Sequence, residues 1–372
     1  MDLFYNSSVM VIKKFCRFLS ALSVVIFLLS FFGCANKKQV YDFYAFNNTP
    51  VIVSVTGSYL SDQTQSEISS VLSRLETTFS ATKKQSEIYL LNSAAENFTM
   101  PIDEETYYLF SKCFEYNALT SDKFNPAVYP LVKLWKFSPM VASDKFVPPQ
   151  NSEVQALKES GAVSLNNFIL KSDTTKTVSK SNANAMIDFG GILKGYASEL
   201  IYDILIKAGV NKGYISIGSS SIKLINVSPC VIRHPRNTQD TILTINSANR
   251  VCAVSTSGDY ERYYDYSGTR YSHIIDGKTG NPYDTGIISA TVVSDNGTFC
   301  DAISTALCLS HFDVNNELQN DLTMLIKKII DYNNNSDIYA IYNKNGIKRL
   351  ITNKTQGKDF TLKDNSYSVI KI

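Results

Sequence analysis

Asp301 and Thr305 stand four residues apart in a stretch with helical patterning. On a helix that spacing puts both side chains on one face. A carboxylate and a hydroxyl there offer hard oxygen ligands, which suit Mg²⁺ better than zinc. Mg²⁺ keeps several waters and is commonly shared with substrate phosphates, so two protein side chains suffice. The pair reads equally as a helix cap followed by a packed threonine. A second segment, Asp188-Phe-Gly-Gly-Ile-Leu-Lys-Gly-Tyr-Ala197, is rich in glycine. Gly190 and Gly191 let backbone approach a ligand closely. A helix expected from Gly195 to Ala208 would add N–H groups and a positive dipole end, with Lys194 as a point charge beside them. The bland alternative is a strand-to-helix turn with a surface lysine. Neither the phosphate-loop pattern nor the glycine fingerprint of dinucleotide-binding folds is present. Together the two segments point to chemistry on a phosphoanhydride.

Three further groups could contribute. Ser272-His-Ile-Ile-Asp276 offers an acid/base pair, or a histidine that satisfies local backbone. Thr256-Ser257-Gly258 offers hydroxyls, or a turn whose hydroxyls cap neighbouring strands. Lys123-Phe-Asn-Pro126 offers a charge and a ring, or a simple loop with Phe124 packed inward.

These groups need elements to hold them. Helical spacing of apolar residues predicts helices over Asp62 to Phe79, Asp103 to Thr120, Val154 to Ser160 and Asp301 to Leu309. Alternation predicts strands at 51–55, 213–217, 221–227, 241–245, 251–255 and 288–294. Hairpins are expected about Asn166-Asn167 and about Asn345-Gly346, the latter closing the chain. Lys123 to Trp135, interrupted by Pro126 and Pro130, reads as irregular. Strands in meanders with helices early and in the middle favour an α+β fold with antiparallel or mixed sheets over a doubly wound one.

Composition narrows the function. The 36 basic residues nearly balance 34 acidic ones, so no large field argues for nucleic acid. The 22 Tyr and 20 Phe fit a planar ligand, and they fit strand-rich cores equally well. Cys113, Cys230, Cys252, Cys300 and Cys308 contain no CxxC pair, which argues against a disulfide framework or a zinc site. Cys300 and Cys308 read as buried thiols. At the N-terminus, Lys13, Lys14 and Arg17 precede an apolar run from Phe18 to Phe32, too short for a stable membrane span. Gly33-Cys34 closes it, so residues 1–33 read as a signal peptide with a lipobox, Phe31 standing where Leu is more usual. Cys34 is the expected lipidation site, and residues 34–43 the expected tether. An uncleaved signal anchor is the alternative. Lipidation would place the protein on the far side of the cytoplasmic membrane, anchored to a membrane on its periplasmic side.

Six motifs occur in order: Phe124-Asn-Pro…Leu134-Trp135, Asp188-Phe-Gly-Gly-Ile-Leu-Lys-Gly-Tyr-Ala, Gly213-Tyr-Ile-Ser-Ile-Gly-Ser, Ser255-Thr-Ser-Gly-Asp-Tyr, Tyr271-Ser-His-Ile-Ile-Asp-Gly-Lys-Thr-Gly-Asn-Pro282 and Asp301-Ala-Ile-Ser-Thr-Ala. The series resembles the ApbE family of FAD:protein FMN transferases over about residues 43 to 355. The resemblance implies a T-fold-like catalytic domain over 44–372 and Mg²⁺ held by Asp301, Thr305 and the backbone carbonyl of Gly191. It implies FAD contacts at Lys123, Phe124, Asn125, Asp188, Lys194 and Ile275. It also implies contacts at Asn47, where the family often has Met-Gly-Thr, and at Thr82, where many members have an aromatic. FMN would pass from FAD to a Thr or Ser hydroxyl of an exported acceptor protein, with release of AMP. Asp301, and next His273, are the candidate bases. Water as nucleophile would make the same site an FAD pyrophosphatase. A flavin-binding lipoprotein without catalysis also fits the lipobox and the aromatic content.

Overall fold

Val51, Val53 and Val55 alternate with half-buried or small polar residues and are fully buried, which makes this stretch a strand with one face in the core. The same logic generates most of the fold. The computed structural model describes residues 37–138, 140–246 and 250–372; the segment read as a signal peptide and Cys34 lie outside them.

In chain order the strands are β1 Lys38–Ala45, β2 Thr49–Thr56, β3 Phe98–Pro101, β4 Phe168–Ser172, β5 Lys176–Lys180, β6 Gly213–Ile217, β7 Ser221–Ile225, β8 Cys230–His234, β9 Asn237–Ile245, β10 Cys252–Gly258, β11 Tyr263–Tyr266, β12 Thr269–Ser272, β13 Ile287–Ser294, β14 Asp337–Lys344, β15 Ile347–Thr352, β16 Phe360–Leu362 and β17 Ser368–Lys371. The helices are α1 Asp62–Phe79, α2 Glu87–Ser93, α3 Glu104–Leu119, α4 Tyr129–Leu134, α5 Asn151–Glu159, α6 Leu193–Lys207, α7 Gly297–Cys308 and α8 Asp321–Tyr332. A nine-stranded sheet runs β1-β2-β6-β7-β10-β13-β14-β15-β17, antiparallel except for the parallel pair β15–β17. The fold is α+β, as the meander of strands predicts.

The sheet is covered on both sides at its centre. Ala290 and Val292 of β13 face the core shared with α6, α7 and α8, while Ile288 and Val293 face a second core under β8, β9 and β16. Burial on both faces explains why β13 reads as a continuous small-and-apolar run rather than an alternation. A third, smaller cluster gathers Leu131, Trp135, Phe137, Phe146, Val154, Tyr264 and Ile275 beneath the β11–β12 hairpin. Aromatic content is used here. Phe146 stacks on Tyr264 at 4.0 Å between ring centres, and Trp135 stacks on Tyr271 at 5.5 Å. Among the described residues, the five cysteines are free and buried.

Several expectations shift. The tether read at 34–43 gives way at Lys38 to β1, an edge strand paired along its length with β2. The hairpin about Asn166-Asn167 is instead a single 3₁₀ turn, Leu165–Asn167, that buries Leu165; the true hairpin joins β4 to β5 through polar Asp173-Thr-Thr. Lys123 to Trp135 is not irregular but a 3₁₀ turn, Pro126–Val128, running into α4, with proline at the first positions of each, where its missing N–H costs nothing. Among the described residues, no helix is long and apolar enough to cross a membrane.

Candidate active site

A cleft of about 420 Å³ opens between the start of α6, the face of α7, the β1–β2 turn and the edge of the Trp135 cluster. Its lining contains the residues nominated for cofactor, cation and base: Asn47, Thr82, Lys123, Phe124, Asn125, Asp188, Gly191, Lys194, His273, Ile275, Asp301 and Thr305; Asp276, offered as the partner of His273, is not among them. Residues from 47 to 305 thus converge on one space.

The floor is built by α6 meeting α7. A Cβ on Gly195 would lie 2.0 Å from the Gly297 carbonyl oxygen and 2.9 Å from Asp301 Cβ, so only glycine lets the two helices cross here. At that crossing the Gly195 N–H donates to Asp301 Oδ2 at 3.0 Å, and Ser221 Oγ donates to Oδ1 at 2.9 Å. Lys194 Nζ reaches the same carboxylate at 3.5 Å and the Gly190 carbonyl at 3.0 Å. Asp301 is 4 % exposed. A buried carboxylate with this many donors stays where it is put. Asp301 is not the helix cap: α7 starts a turn earlier and Asn296 caps it, accepting from the Phe299 N–H at 2.9 Å. One turn on, Thr305 Oγ1 lies 3.2 Å from Ser257 Oγ.

Helix α6 also begins earlier than its glycine suggests, at Leu193, with no side-chain cap at Ile192. The Gly195 N–H faces Asp301 rather than standing free for a phosphate. Gly190 and Gly191 do not need a left-handed backbone. They need space: a Cβ on Gly191 would meet the Phe124 ring at 3.3 Å and lie 3.9 Å from Thr305 Oγ1. The segment leading into them is held at three points. Asn92 Nδ2 donates to the Ile187 carbonyl at 2.9 Å, its Oδ1 accepts from the Ile187 N–H at 2.7 Å, and the Asp188 N–H donates to the Pro126 carbonyl at 3.0 Å. Asp188 accepts from the Gly190 N–H at 3.1 Å. Burial raises its pKa, opposed by that N–H and by the charges of Arg262 and Lys194.

The remaining nominated residues divide by what their polar atoms do. Asn125 is fully used: it accepts from the Ala127 N–H and donates to Val163 and Asp122, so it shapes the wall rather than offering a free amide. Phe124 is buried and supplies a ring edge against Gly191. Lys123 pairs with Asp321 at 3.0 Å, on a helix that sequence patterning did not single out. Ile275 bridges Pro282 and presents an apolar side chain. Asn47 and Thr82 sit exposed at the rim. The His273 Nδ1 lies 3.0 Å from the Arg262 carbonyl; a carbonyl only accepts, so Nδ1 carries the proton and Nε2 keeps its lone pair. Burial first, then the nearby charges of Arg262 and Lys194, push the His273 pKa down to about 3.

Sequence reasoning missed three contributors. Ser221, which holds Asp301, opens β7 just after the Gly-Ser turn. Arg262 lines the cleft two residues beyond the Thr256-Ser-Gly-Asp-Tyr motif. Glu76 on α1 accepts from the Asn47 N–H at 2.9 Å and pairs with Lys83 at 3.1 Å. It anchors a turn in which Phe46, Asn47 and Asn48 all carry positive φ, at 51°, 60° and 70°. No local motif marks Glu76, because its role exists only through a partner 29 residues away.

The donor set at the floor is one carboxylate with hydroxyl and carbonyl oxygens. Among the described residues, no three His, Cys, Asp or Glu side chains converge. Such a set fits a hard cation shared with phosphate oxygens and does not fit zinc.

Fold and cleft together define an α+β protein with a polar-floored pocket between a sheet-bound helix pair and an aromatic subcluster. The chain belongs to the ApbE family, whose profile matches residues 48–330. The FAD:protein FMN transferase of Vibrio cholerae is 27 % identical over 248 residues, spanning 65 % of this chain and 72 % of that protein. The FAD:protein FMN transferase of Treponema pallidum is 28 % identical over 258 residues, spanning 64 % and 69 %. The crystal structure of the ApbE protein of Thermotoga maritima superposes with a TM-score of 0.68 at 28 % identity, covering 82 % of this chain and 94 % of that one. The flavin transferase ApbE of Vibrio cholerae superposes with a TM-score of 0.69 at 23 % identity over 83 % and 95 %, a likeness of fold.

Proposed function

We propose that this protein is an Mg²⁺-dependent FAD:protein FMN transferase. One observation carries the proposal. The cleft collects Asp301, Thr305, Gly191, Lys194, Asp188 and His273, from separate segments, into a single lining. Family membership and the names of the curated relatives support the same reading.

Asp301, Thr305 and the Gly191 carbonyl would hold Mg²⁺. When bound, the ion would neutralise charge on the pyrophosphate of FAD. The chain's own residues do the rest. Lys194, fixed by Gly190 and Asp301, adds a second positive charge at the floor. Phe124, Ile275 and the rim residues Asn47 and Thr82 enclose the organic parts of the dinucleotide. The acceptor is a Thr or Ser hydroxyl of a second protein. Its oxygen bonds to the FMN-side phosphorus, the P–O bond to the AMP phosphate breaks, and AMP leaves with that electron pair. The hydroxyl proton needs an acceptor. Both Asp301 oxygens already receive hydrogen bonds, whereas His273 Nε2 has a free lone pair. His273 is therefore the better base of the two. It is unprotonated at neutral pH, and a bound pyrophosphate would raise its low basicity through its negative charge. Positioning and electrostatics supply most of the rate.

The N-terminal segment ending in Gly33-Cys34 supports placement outside the cytoplasm, with a lipid anchor on Cys34. The test uses protein from residue 35, FAD and Mg²⁺, with and without an acceptor domain. We expect AMP release accompanied by a flavin-fluorescent acceptor band in a denaturing gel. AMP with free FMN and no band would make the protein an FAD hydrolase. FAD binding without AMP would overturn catalysis altogether.

A further inference from the structure

Among the described residues, every arginine but one has a carboxylate partner. Arg74 pairs with Glu105, Arg233 with Glu261, Arg236 with Asp259, Arg250 with Asp337, Arg270 with Asp265 and Arg349 with Glu317. Arg262 stands without one and lines the cleft.

Its backbone is held firmly all the same. The His273 N–H and Nδ1–H both donate to its carbonyl at 3.0 Å. The turn before it is pinned by a two-pronged pair, Arg236 Nη1 and Nη2 to Asp259 at 2.7 and 2.6 Å, and by Arg233 to Glu261 at 3.0 Å. Both neighbouring carboxylates are thereby occupied by other arginines. The Arg262 guanidinium is left with five donors and no acceptor, on an anchored stem. Its charge acts on the same two groups as that of Lys194, namely Asp188 and His273. Lys194 approaches them from α6, and Arg262 from the loop between β10 and β11. Two cations lining one cleft repel each other, and an anion bound between them would relieve that repulsion. A planar guanidinium suits the paired oxygens of a phosphate better than an ammonium does.

We propose that Arg262 is a substrate-contacting residue whose guanidinium pairs with the pyrophosphate of the bound dinucleotide, completing a clamp with Lys194. The proposal rests on FAD occupying this cleft, as the transferase reading requires.

Flavin fluorescence quenching would measure the affinities of FAD and of riboflavin, which carries no phosphate, for wild type, Arg262→Gln and Arg262→Lys in Mg²⁺. AMP would be followed in the same samples. We expect Arg262→Gln to weaken FAD about 10- to 100-fold, the usual range for losing a charge-assisted hydrogen bond. Riboflavin affinity should not change, and Arg262→Lys should fall between wild type and Arg262→Gln for FAD. Equal weakening of both flavins, or of neither, would overturn the assignment. Wild type that binds FAD yet releases no AMP would sink the transferase reading while leaving Arg262 to be judged on the two affinities. Wild type that binds neither flavin would overturn both.

Discussion

The floor and the rim of the cleft are built on opposite plans. At the floor, Asp301 takes hydrogen bonds from a backbone N–H, a serine and a lysine, and two helices cross where only glycine fits. At the rim, three consecutive non-glycine residues hold left-handed backbone, secured by Glu76 from a separate helix, and Asn47 and Thr82 face solvent. Backbone of this kind costs free energy, and at the rim the Glu76 carboxylate is the contact from α1 that secures it. The floor is thus fixed by many mutually supporting bonds and the rim by few. On the transferase reading, the first would handle the phosphates and the second would select the organic parts of the ligand.

Substitutions can test that division. The largest effect is expected at Asp301. Asp301→Ala should lower Mg²⁺-dependent AMP release by at least about 10³-fold, since it removes both cation and lysine contacts. Because Ser221 and Gly195 would lose their acceptor, it should also cost about 1–3 kcal/mol of stability in urea unfolding. Full activity in Asp301→Ala would remove the floor from the chemistry. Next comes Gly195→Ala, which drives a Cβ against the Gly297 carbonyl. It should destabilise by about 1–3 kcal/mol and abolish turnover by spreading α6 from α7. Gly209→Ala is the control: its φ is +79° but nothing lies within 4 Å of an added Cβ. It should be strained yet leave kcat unchanged.

A smaller effect is expected from pH at His273, which lies between the two regions. Its folded-state pKa is about 3, against 6.5 in the unfolded chain. Between those values the unfolded chain takes up a proton that the folded protein refuses. The histidine's contribution is therefore whole above pH 6.5 and lost as pH falls toward 3. Asp188 acts in the opposite sense, because burial raises its pKa. His273→Gln should flatten the fall in unfolding free energy over that window. Parallel curves for the two proteins would show that the imidazole does not resist protonation. The smallest effect is expected from Glu76→Gln, which weakens the anchor of the rim turn. KM for FAD should rise severalfold with kcat intact, as for an interaction that is equal in ground and transition states. A fall in kcat instead would mean that the rim reaches the chemistry.

Much of the fold is legible locally. Strand β13 announces itself as a continuous buried run, and the closing hairpin β14–β15 turns at Asn345-Gly346 as its sequence demands. Where local signals mislead, a tertiary contact is the cause. Asn166-Asn167 has turn chemistry, but Leu165 is drawn into the core and the chain closes a 3₁₀ turn instead. Residues 38–43 read as tether because one edge of β1 is unpaired and its side chains alternate between exposed and half-buried. Helix α8 carries its own local signals, Leu322, Leu325, Ile326 and Ile329 at helical spacing after an Asn320–Thr323 capping box.

By itself the sequence determined which residues could hold a cation and a phosphate. Residue type and i, i+4 spacing are local properties, and Asp301 with Thr305 or Lys194 after two glycines carries them wherever the chain folds. It also determined the central strands β2, β6, β7, β10 and β13, whose apolar content marks them locally. Only the tertiary structure decided that the Gly195 N–H serves Asp301 rather than a ligand, that Asn125 has no free amide, and that Arg262 alone among the described arginines lacks a partner. Those facts concern which donors meet which acceptors. Hydrogen bonds and ion pairs saturate, so the availability of a group depends on every neighbour that the fold brings to it, and no spacing along the chain records that.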